Sequence, residues 1–487
     1  MSFDYAGLFG ALKPETALVV GALLVLGLDL SLLKGRSAGA RRGAALFLGS
    51  AALMVAGWLV WVGPHGPVFG GVLVLDKFAQ ATRVGVLSLT LLAMGTASCN
   101  RAGRNPAELV AVMLFAAVGF TLMAAAQQLL VAFLSLELAS LSLYILAGFD
   151  KSRPESAEAG LKYYLFGGMA AAFLLFGISL VYGLTGSIDL PVIAERLRSL
   201  PPSPLLMVAL VMILVAFGFK AAAAPFHLWA PDVYEGAPTV AASLVASASK
   251  LAAFTFFTRM LWTGFYPVAG SISTAAVTPG WLAPLAAIAV LSMLIGNFGA
   301  LAQQNVRRLL AYSAIAHSGV LMLGVMAAGD YGVGPLFFYA STYGIAALGA
   351  FAVVGVLEAS GGCQKITDLA GLARRSPLLA GCLSVFILSL AGIPPLAGFF
   401  GKFSVFASAL RLGGLAGPAG WLVVLAIALS AVALYYYLIV LKQALVEAPA
   451  EGAGKIAIPA AAEVALVAAA VLLVLLGVRP SLMLGLF

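Results

Sequence analysis

Apolar runs long enough to cross a bilayer follow one another from near residue 16 to near residue 478, with only short polar turns between them. A helix needs about 20 predominantly apolar residues to span the hydrocarbon core, whereas the strands of a lipid-facing barrel alternate at period two in segments of about ten. The runs here are continuous. Charged residues make up 9% of the 487 positions and hydrophobic ones 62%, which is roughly a third of the charge that a soluble surface carries. Lipid is therefore the expected solvent, and the expected fold is an all-α integral membrane protein with one domain, 1–487. The most polar stretches, near 185–203 and 358–376, are short and partly apolar, so no soluble domain is expected between crossings.

About fourteen crossings are predicted, near 16–33, 43–62, 79–98, 107–125, 127–148, 158–184, 204–224, 238–263, 281–302, 305–327, 333–357, 376–400, 420–443 and 459–478. Lys and Arg fall unevenly on the alternate loops. One set holds Lys34, Arg36, Arg41, Arg42, Arg101, Arg104, Lys151, Arg153, Arg307, Arg308, Lys365, Arg374, Arg375, Lys442 and Lys455. The other holds Lys13, Lys77, Arg196, Arg198, Arg411 and Arg479. The positive-inside rule places the richer set in the cytoplasm and, with an even number of crossings, both termini outside, in the periplasm of a bacterium. The net charge of +8 is accounted for by these loops, and nucleic-acid binding is not expected. Cys99, Cys363 and Cys382 are isolated, without CxxC or histidine at ligand spacing, which argues against a metal centre, an attached haem or a disulfide framework. Lys13, Pro14 and Glu15 introduce the first long helix without the basic region of a cleavable signal, so this segment is expected to be retained.

Charges within the apolar runs are few and costly. Glu137, Lys162, Lys220, Lys250 and Lys402 lie inside predicted helices, with His317 nearby. A charge at a helix centre costs about 2.5–3.5 kcal/mol even on the lenient insertion scale, so these groups need partners, water or a function. Arg83 and Arg259, nearer helix ends, are expected to snorkel to the headgroups. Lys162 lies about four residues inside its helix, where snorkelling or a structural ion pair competes with a functional role. Glu137, flanked by Phe133, Leu134, Leu136 and Leu138, is beyond the reach of snorkelling.

Two of the helices should be interrupted. In FGFKAAAAPFHLWAPDVYEGAPT, residues 217–239, Lys220 precedes Pro225 and Pro231, with His227 beside the break. In AGIPPLAGFFGK, residues 391–402, Gly392, Pro394 and Pro395 precede Lys402. Proline removes a helical hydrogen bond and clashes with the preceding turn, and broken helices persist at membrane depth only where protein or water satisfies the freed backbone. Paired interruptions point to a transporter built from inverted repeats. Glu137 and Lys220 are about 83 positions apart and His317 and Lys402 about 85, so an offset near 180 maps the first pair onto the second. The expected units are 107–263, crossings four to eight, and 281–443, crossings nine to thirteen, the odd number inverting the second. A buried lysine loses affinity for its proton through desolvation and regains it from a nearby carboxylate. A Glu–Lys pair of changing hydration therefore passes protons, and histidine, with an intrinsic pKa near 6.5, suits a relay. No nucleotide-binding fingerprint and no H-E-x-x-H stand in the sequence.

These stretches resemble the antiporter-like membrane subunits of respiratory complex I, whose fold is shared with multisubunit cation/proton antiporters, over nearly the whole chain. PFHLWAPDVYEGAPT, Ala248-Ser249-Lys250, Ala311-Tyr312-Ser313 with Ala316-His317, and Gly401-Lys402-Phe403 carry the resemblance. Pro231-Asp232-Val233-Tyr234, lysine at 402 and the chain length are similar to subunit N rather than M or L; Val240 stands where relatives usually have proline. The resemblance implies that Glu137 and Lys220 are the core pair, Lys250 the relay, Lys402 the terminal group and Lys162 a modulator of the pair. It also implies that this chain holds no cofactor, and that NADH, FMN, iron–sulfur clusters and quinone act in partner subunits. The expected partners are K-like and M-like neighbours and the A, J, H and L subunits. A subunit of a Na+/H+ antiporter of the same fold, and a purely structural membrane scaffold, are the competing readings.

Overall fold

The computed structural model describes residues 5–99, 105–200, 203–272, 278–412, 414, 415, 417, 419–449 and 454–487. Arg101 and Arg104, counted above among the loop charges, and the side chain of Cys99 lie outside the described residues. Helices α1 (Tyr5–Ala11), α2 (Lys13–Leu30) and α3 (Ala38–Trp61) open the chain. An antiparallel hairpin, β1 (Gly66–Val68) and β2 (Leu73–Leu75), sets Pro67 opposite Val74 and leads into α4 (Lys77–Thr96). Then come α5 (Pro106–Ala125), α6 (Leu129–Ala147), α7 (Pro154–Thr185) and the short α8 (Leu190–Ser199). The middle of the chain forms α9 (Pro204–Lys220), α10 (Trp229–Gly236), α11 (Thr239–Ala246) and α12 (Ala248–Arg259). The rest is α13 (Leu282–Leu301), α14 (Val306–Tyr331), α15 (Gly334–Ser360), α16 (Leu372–Arg375), α17 (Pro377–Ala391), α18 (Ala397–Leu410), α19 (Gly420–Leu445), α20 (Ala460–Val478) and α21 (Ser481–Leu484).

Local chemistry marks the helix ends. Pro106, Pro154, Pro204 and Pro377 each open a helix, at the position where a missing N–H costs nothing. Asp76 accepts from Ala79 N (2.8 Å), and Asn305 from the amides of Arg307 (2.8 Å) and Arg308 (3.2 Å), so polar caps satisfy amides that lipid would leave bare.

Eleven helices among the described residues are long and apolar enough to cross a membrane. Their burial sorts them into an interior and a rim. The α11–α12 span is wholly buried and α14 and α15 are 94% buried, whereas α3 and α7 are 28% and 33% buried. The interior helices are also less apolar than α19 and α20 at the rim, because the polar groups of this chain point at one another and the leucines point out. Close approach depends on small residues. A Cβ on Gly119 would come within 2.5 Å of Ala139 N, and one on Gly296 within 2.4 Å of Ala316 N, so α5 lies directly on α6 and α13 on α14.

The structure is thus an all-α, multi-spanning membrane fold with discontinuous helices. Both expected interruptions are present, at 221–228 and 392–396. A third, at Ser247 between α11 and α12, was not expected. It has no proline or glycine; Ser247 Oγ instead donates to Ser243 O (2.6 Å), a bond to the preceding turn of the kind that bends helices.

Candidate functional site

Lys220 is the last residue of α9. The chain turns sharply there, with Ala222 at φ +53°, and an ammonium at a helix C-terminus meets the negative end of the macrodipole. Its Nζ donates to Ser140 Oγ on α6 (2.8 Å). Glu137 lies one turn before Ser140 on the same face and attracts Lys220 through space. Among the described residues it has no ion-pair partner within 4.0 Å, and its Oε1 is buried without a hydrogen bond.

Lys250 follows the interruption at Ser247 by three residues and is 1% exposed. Its Nζ donates to the Ala314 carbonyl and to Ser318 Oγ (2.6 Å) on α14, and sits over the Tyr343 ring of α15 (5.2 Å). Ser318 Oγ in turn donates to the carbonyl of Ala221, the residue after Lys220 (2.6 Å). One serine therefore joins the end of the first broken helix to Lys250.

His317, beside Ser318, shares hydrogen bonds with Tyr339 through Nδ1 (2.6 Å) and with Tyr437 through Nε2 (3.1 Å), and Tyr437 is bonded to Ser313. Its ring lies 4.8 Å from that of Tyr343, and Lys250 and Lys402 both act on it electrostatically. Lys402 donates to the carbonyl of Ala391, the last residue of α17 (3.1 Å), so its ammonium neutralises the end of the second broken helix. Gly392 makes that approach feasible. It has φ +85°, and a Cβ there would come within 3.1 Å of Lys402 Cδ. A cavity of about 20 Å³, lined by His317, Lys402, Asn297, Ser430 and Tyr436 among others, has room for about one water.

Five of the seven residues picked from the sequence therefore fall on one line, Glu137, Lys220, Lys250, His317 and Lys402, half-buried at Glu137 and buried at the other four. Lys162 lies apart from it. It pairs with Glu158 (2.7 Å) and with Asp232 of α10 (2.5 Å), at the edge of a polar vestibule of about 670 Å³. His227 is buried in the first interruption, and its Nδ1 has no hydrogen-bond partner among the described residues.

The two arginines expected to snorkel do not. Arg83 is 2% exposed; one terminal nitrogen donates to both oxygens of Glu15 (2.8 and 2.9 Å) and the other to Gln80 Oε1 (3.0 Å). Arg259 grips Asp76 through both terminal nitrogens (2.8 and 2.7 Å). Each had a carboxylate at hand on a neighbouring segment, and charge-assisted hydrogen bonds to it are about twice as strong as neutral ones. Burial works to raise Asp76, and Arg259 outweighs it, holding the carboxyl below its ordinary range.

The sequence did not single out Ser140, Ser318, Tyr339, Tyr343, Tyr437 or Asn297. Arg307, taken for a loop charge, is 3% exposed. Among the described residues no group of three or more His, Cys, Asp or Glu is placed to hold a metal ion.

Residues 126–432 match the family described as NADH:quinone oxidoreductase/Mrp antiporter, TM. The chain is 46% identical to NADH-quinone oxidoreductase subunit N 2 of Acidobacterium capsulatum, across 99% of this chain and 98% of that protein. It superposes on a chain of respiratory complex I from Thermus thermophilus with bound aureothin at a TM-score of 0.80 and 36% identity, covering 97% and 99% of the two chains. A chain of the Mrp complex from Dietzia sp. gives 0.79 at 23% identity over 97% and 96%, a likeness of fold. A membrane-buried line of lysines at helix breaks and relatives matched almost end to end lead to one assignment: the chain belongs to the NADH-quinone oxidoreductase subunit N family, the antiporter-type membrane subunits of complex I.

Proposed function

We propose that this chain translocates protons along the line Glu137, Lys220, Lys250, His317, Lys402, as a subunit of NADH:quinone oxidoreductase whose electron transfer takes place in other subunits. The observation that carries this is Ser318, whose hydroxyl bonds the end of the Lys220 helix and accepts from Lys250. Hydroxyls both donate and accept, so Ser140, Ser318, Tyr339 and Tyr437 supply proton-passing groups between the titratable side chains. The test is proton uptake per electron in membranes carrying Lys220→Ala. Assembled complex that still oxidises NADH but pumps poorly is expected. Normal pumping per electron would sink the reading.

The proposed architecture has fourteen crossings: the eleven long spans, the interrupted α11–α12 among them, then α2 and the broken pairs α9–α10 and α17–α18. The Lys/Arg-rich loops face the cytoplasm and both termini the periplasm. Two inverted units, 107–263 and 281–443, are supported by contacts recurring about 177 positions on. Gly119 on Ala139 recurs as Gly296 on Ala316, and the bridge Gln128 to Asp189 recurs as Asn305 to Lys365. On this register Ser140 corresponds to His317 and Glu137 to Ala314, so Glu137 and His317 are functional rather than positional counterparts.

Glu137 lies among the exposed Leu130, Leu134, Leu141 and Ile145 of α6. This supports a neighbouring membrane subunit, K-like or M-like, seated on that face of α6 beside the half-buried Glu137. Lys162, bound to Asp232, is proposed to act on the pair through α10 rather than by direct contact.

A further inference from the structure

The vestibule is lined by both charge signs, including Asp232, Glu235, Glu358 and Arg307. The geometry points to Arg307 as a positioning residue that latches the floor of this vestibule and controls access from it to Lys250. Arg307 is the second residue of α14, where the positive end of the helix dipole disfavours a cation. Its partners are what hold it there. Nε lies 3.1 Å from Glu358 Oε1 in the last turn of α15, one terminal nitrogen donates to the carbonyl of Glu235 near the end of α10, and the other donates to Thr239 Oγ1 at the start of α11 (2.6 Å). Thr239 Oγ1 donates to Glu358 Oε2 (2.8 Å), which closes the ring.

Those contacts tie down two eight-residue half-helices at the ends that meet through Ala237 and Pro238. α10 hangs from the interruption that begins after Lys220, and α11 leads in about two turns to Ser247 and Lys250. Neither is long enough to stand alone in water, so tertiary contacts set their positions. Val240 lines the vestibule and residues 240–246 of α11, the segment that leads to Lys250, are all buried, so the closed latch is inferred to keep the polar space from Lys250. Release of Glu358 from Arg307 frees the ends of both half-helices together. The other charged groups bearing on Arg307 are Arg153 and Glu235, with the Cys363 thiol beside them.

The inference rests on Lys250 being a proton carrier, so the test separates the two. Cys363 lines the vestibule but is 1% exposed, and burial pushes its thiol up to about 12, so it should react slowly with maleimide in the intact complex. Glu358→Gln and Arg307→Lys, the latter keeping charge but losing the fork, are expected to raise Cys363 modification severalfold, read by peptide mass spectrometry. Both should also lower protons moved per electron. Thr239→Val, which removes one partner and keeps the shape, should act in the same direction more weakly. A merely structural role would lower pumping and electron flow in proportion, at constant ratio, and that outcome overturns the latch. Unchanged labelling and ratio in both Glu358→Gln and Arg307→Lys overturn it as well. If Lys250→Arg pumps normally, the carrier reading fails instead.

Discussion

Lys250 is held by an Ala314 carbonyl and a serine hydroxyl, with no carboxylate in contact among the described residues, so the proposed role rests on its giving up a proton rather than on pairing. Arginine keeps its proton at any accessible pH. Lys250→Arg is therefore expected to reduce proton pumping severely, measured as the pH change on NADH addition to sealed vesicles; full pumping would mean that position 250 needs only a fixed charge. Arg83 and Glu15 test the opposite behaviour. Removing one partner of a buried pair costs about 3–5 kcal/mol, so Arg83→Ala should lower the thermal aggregation midpoint of the solubilised complex, and Arg83→Met with Glu15→Gln should recover most of the loss. Charges were legible in the sequence because nothing else in an apolar run resembles them. The hydroxyl groups between them were not. Ser135 and Ser142 bond carbonyls of their own helix at Val131 and Leu138, and in sequence they look no different from Ser140, which holds Lys220.

Breaks in α9–α10 and α17–α18 were legible through proline and glycine, while the one at Ser247 has no such marker and depends on a serine bonding back along its helix. The second break also shows how an element places a residue. Gly392 takes φ +85° with Lys402 packed on it, and a non-glycine residue in that region costs about 1–2 kcal/mol. Gly392→Ala should therefore push Lys402 from the Ala391 carbonyl and lower both stability and pumping. Gly381, in the same α17 helix, has open space around its Cα, and Gly381→Ala should be neutral in both measurements. Equal behaviour of the two variants would show that the tight turn does not position Lys402. Helix order and the two interruptions could be read from periodicity and punctuation; the register proposed between the two units could not, because it rests on Gly119 and Gly296 meeting particular backbone atoms across a helix pair.

On the scale of the whole molecule, the least settled group is Glu137, half-buried, with one carboxylate oxygen lacking a hydrogen bond and leucines on either side exposed by 58% at Leu134 and 49% at Leu141. Lipid cannot satisfy a carboxylate, so the face of α6 that carries it is expected to be covered by another membrane subunit. The opposite expectation holds for α3, whose Phe47 is 73% exposed on a helix with no titratable group in its exposed middle. Single cysteines at Leu141 and Phe47, in a background lacking Cys99, Cys363 and Cys382, separate the two faces. A bilayer-soluble maleimide should modify Phe47→Cys readily in the assembled complex and Leu141→Cys only after detergent has stripped the neighbouring subunits. Equal modification of both cysteines in the intact complex would leave Glu137 facing lipid, and its carboxylate would then have to be satisfied from within this chain. The Glu137 and Lys220 pair would in that case work as a closed unit, and the proposed K-like or M-like neighbour would have to sit elsewhere.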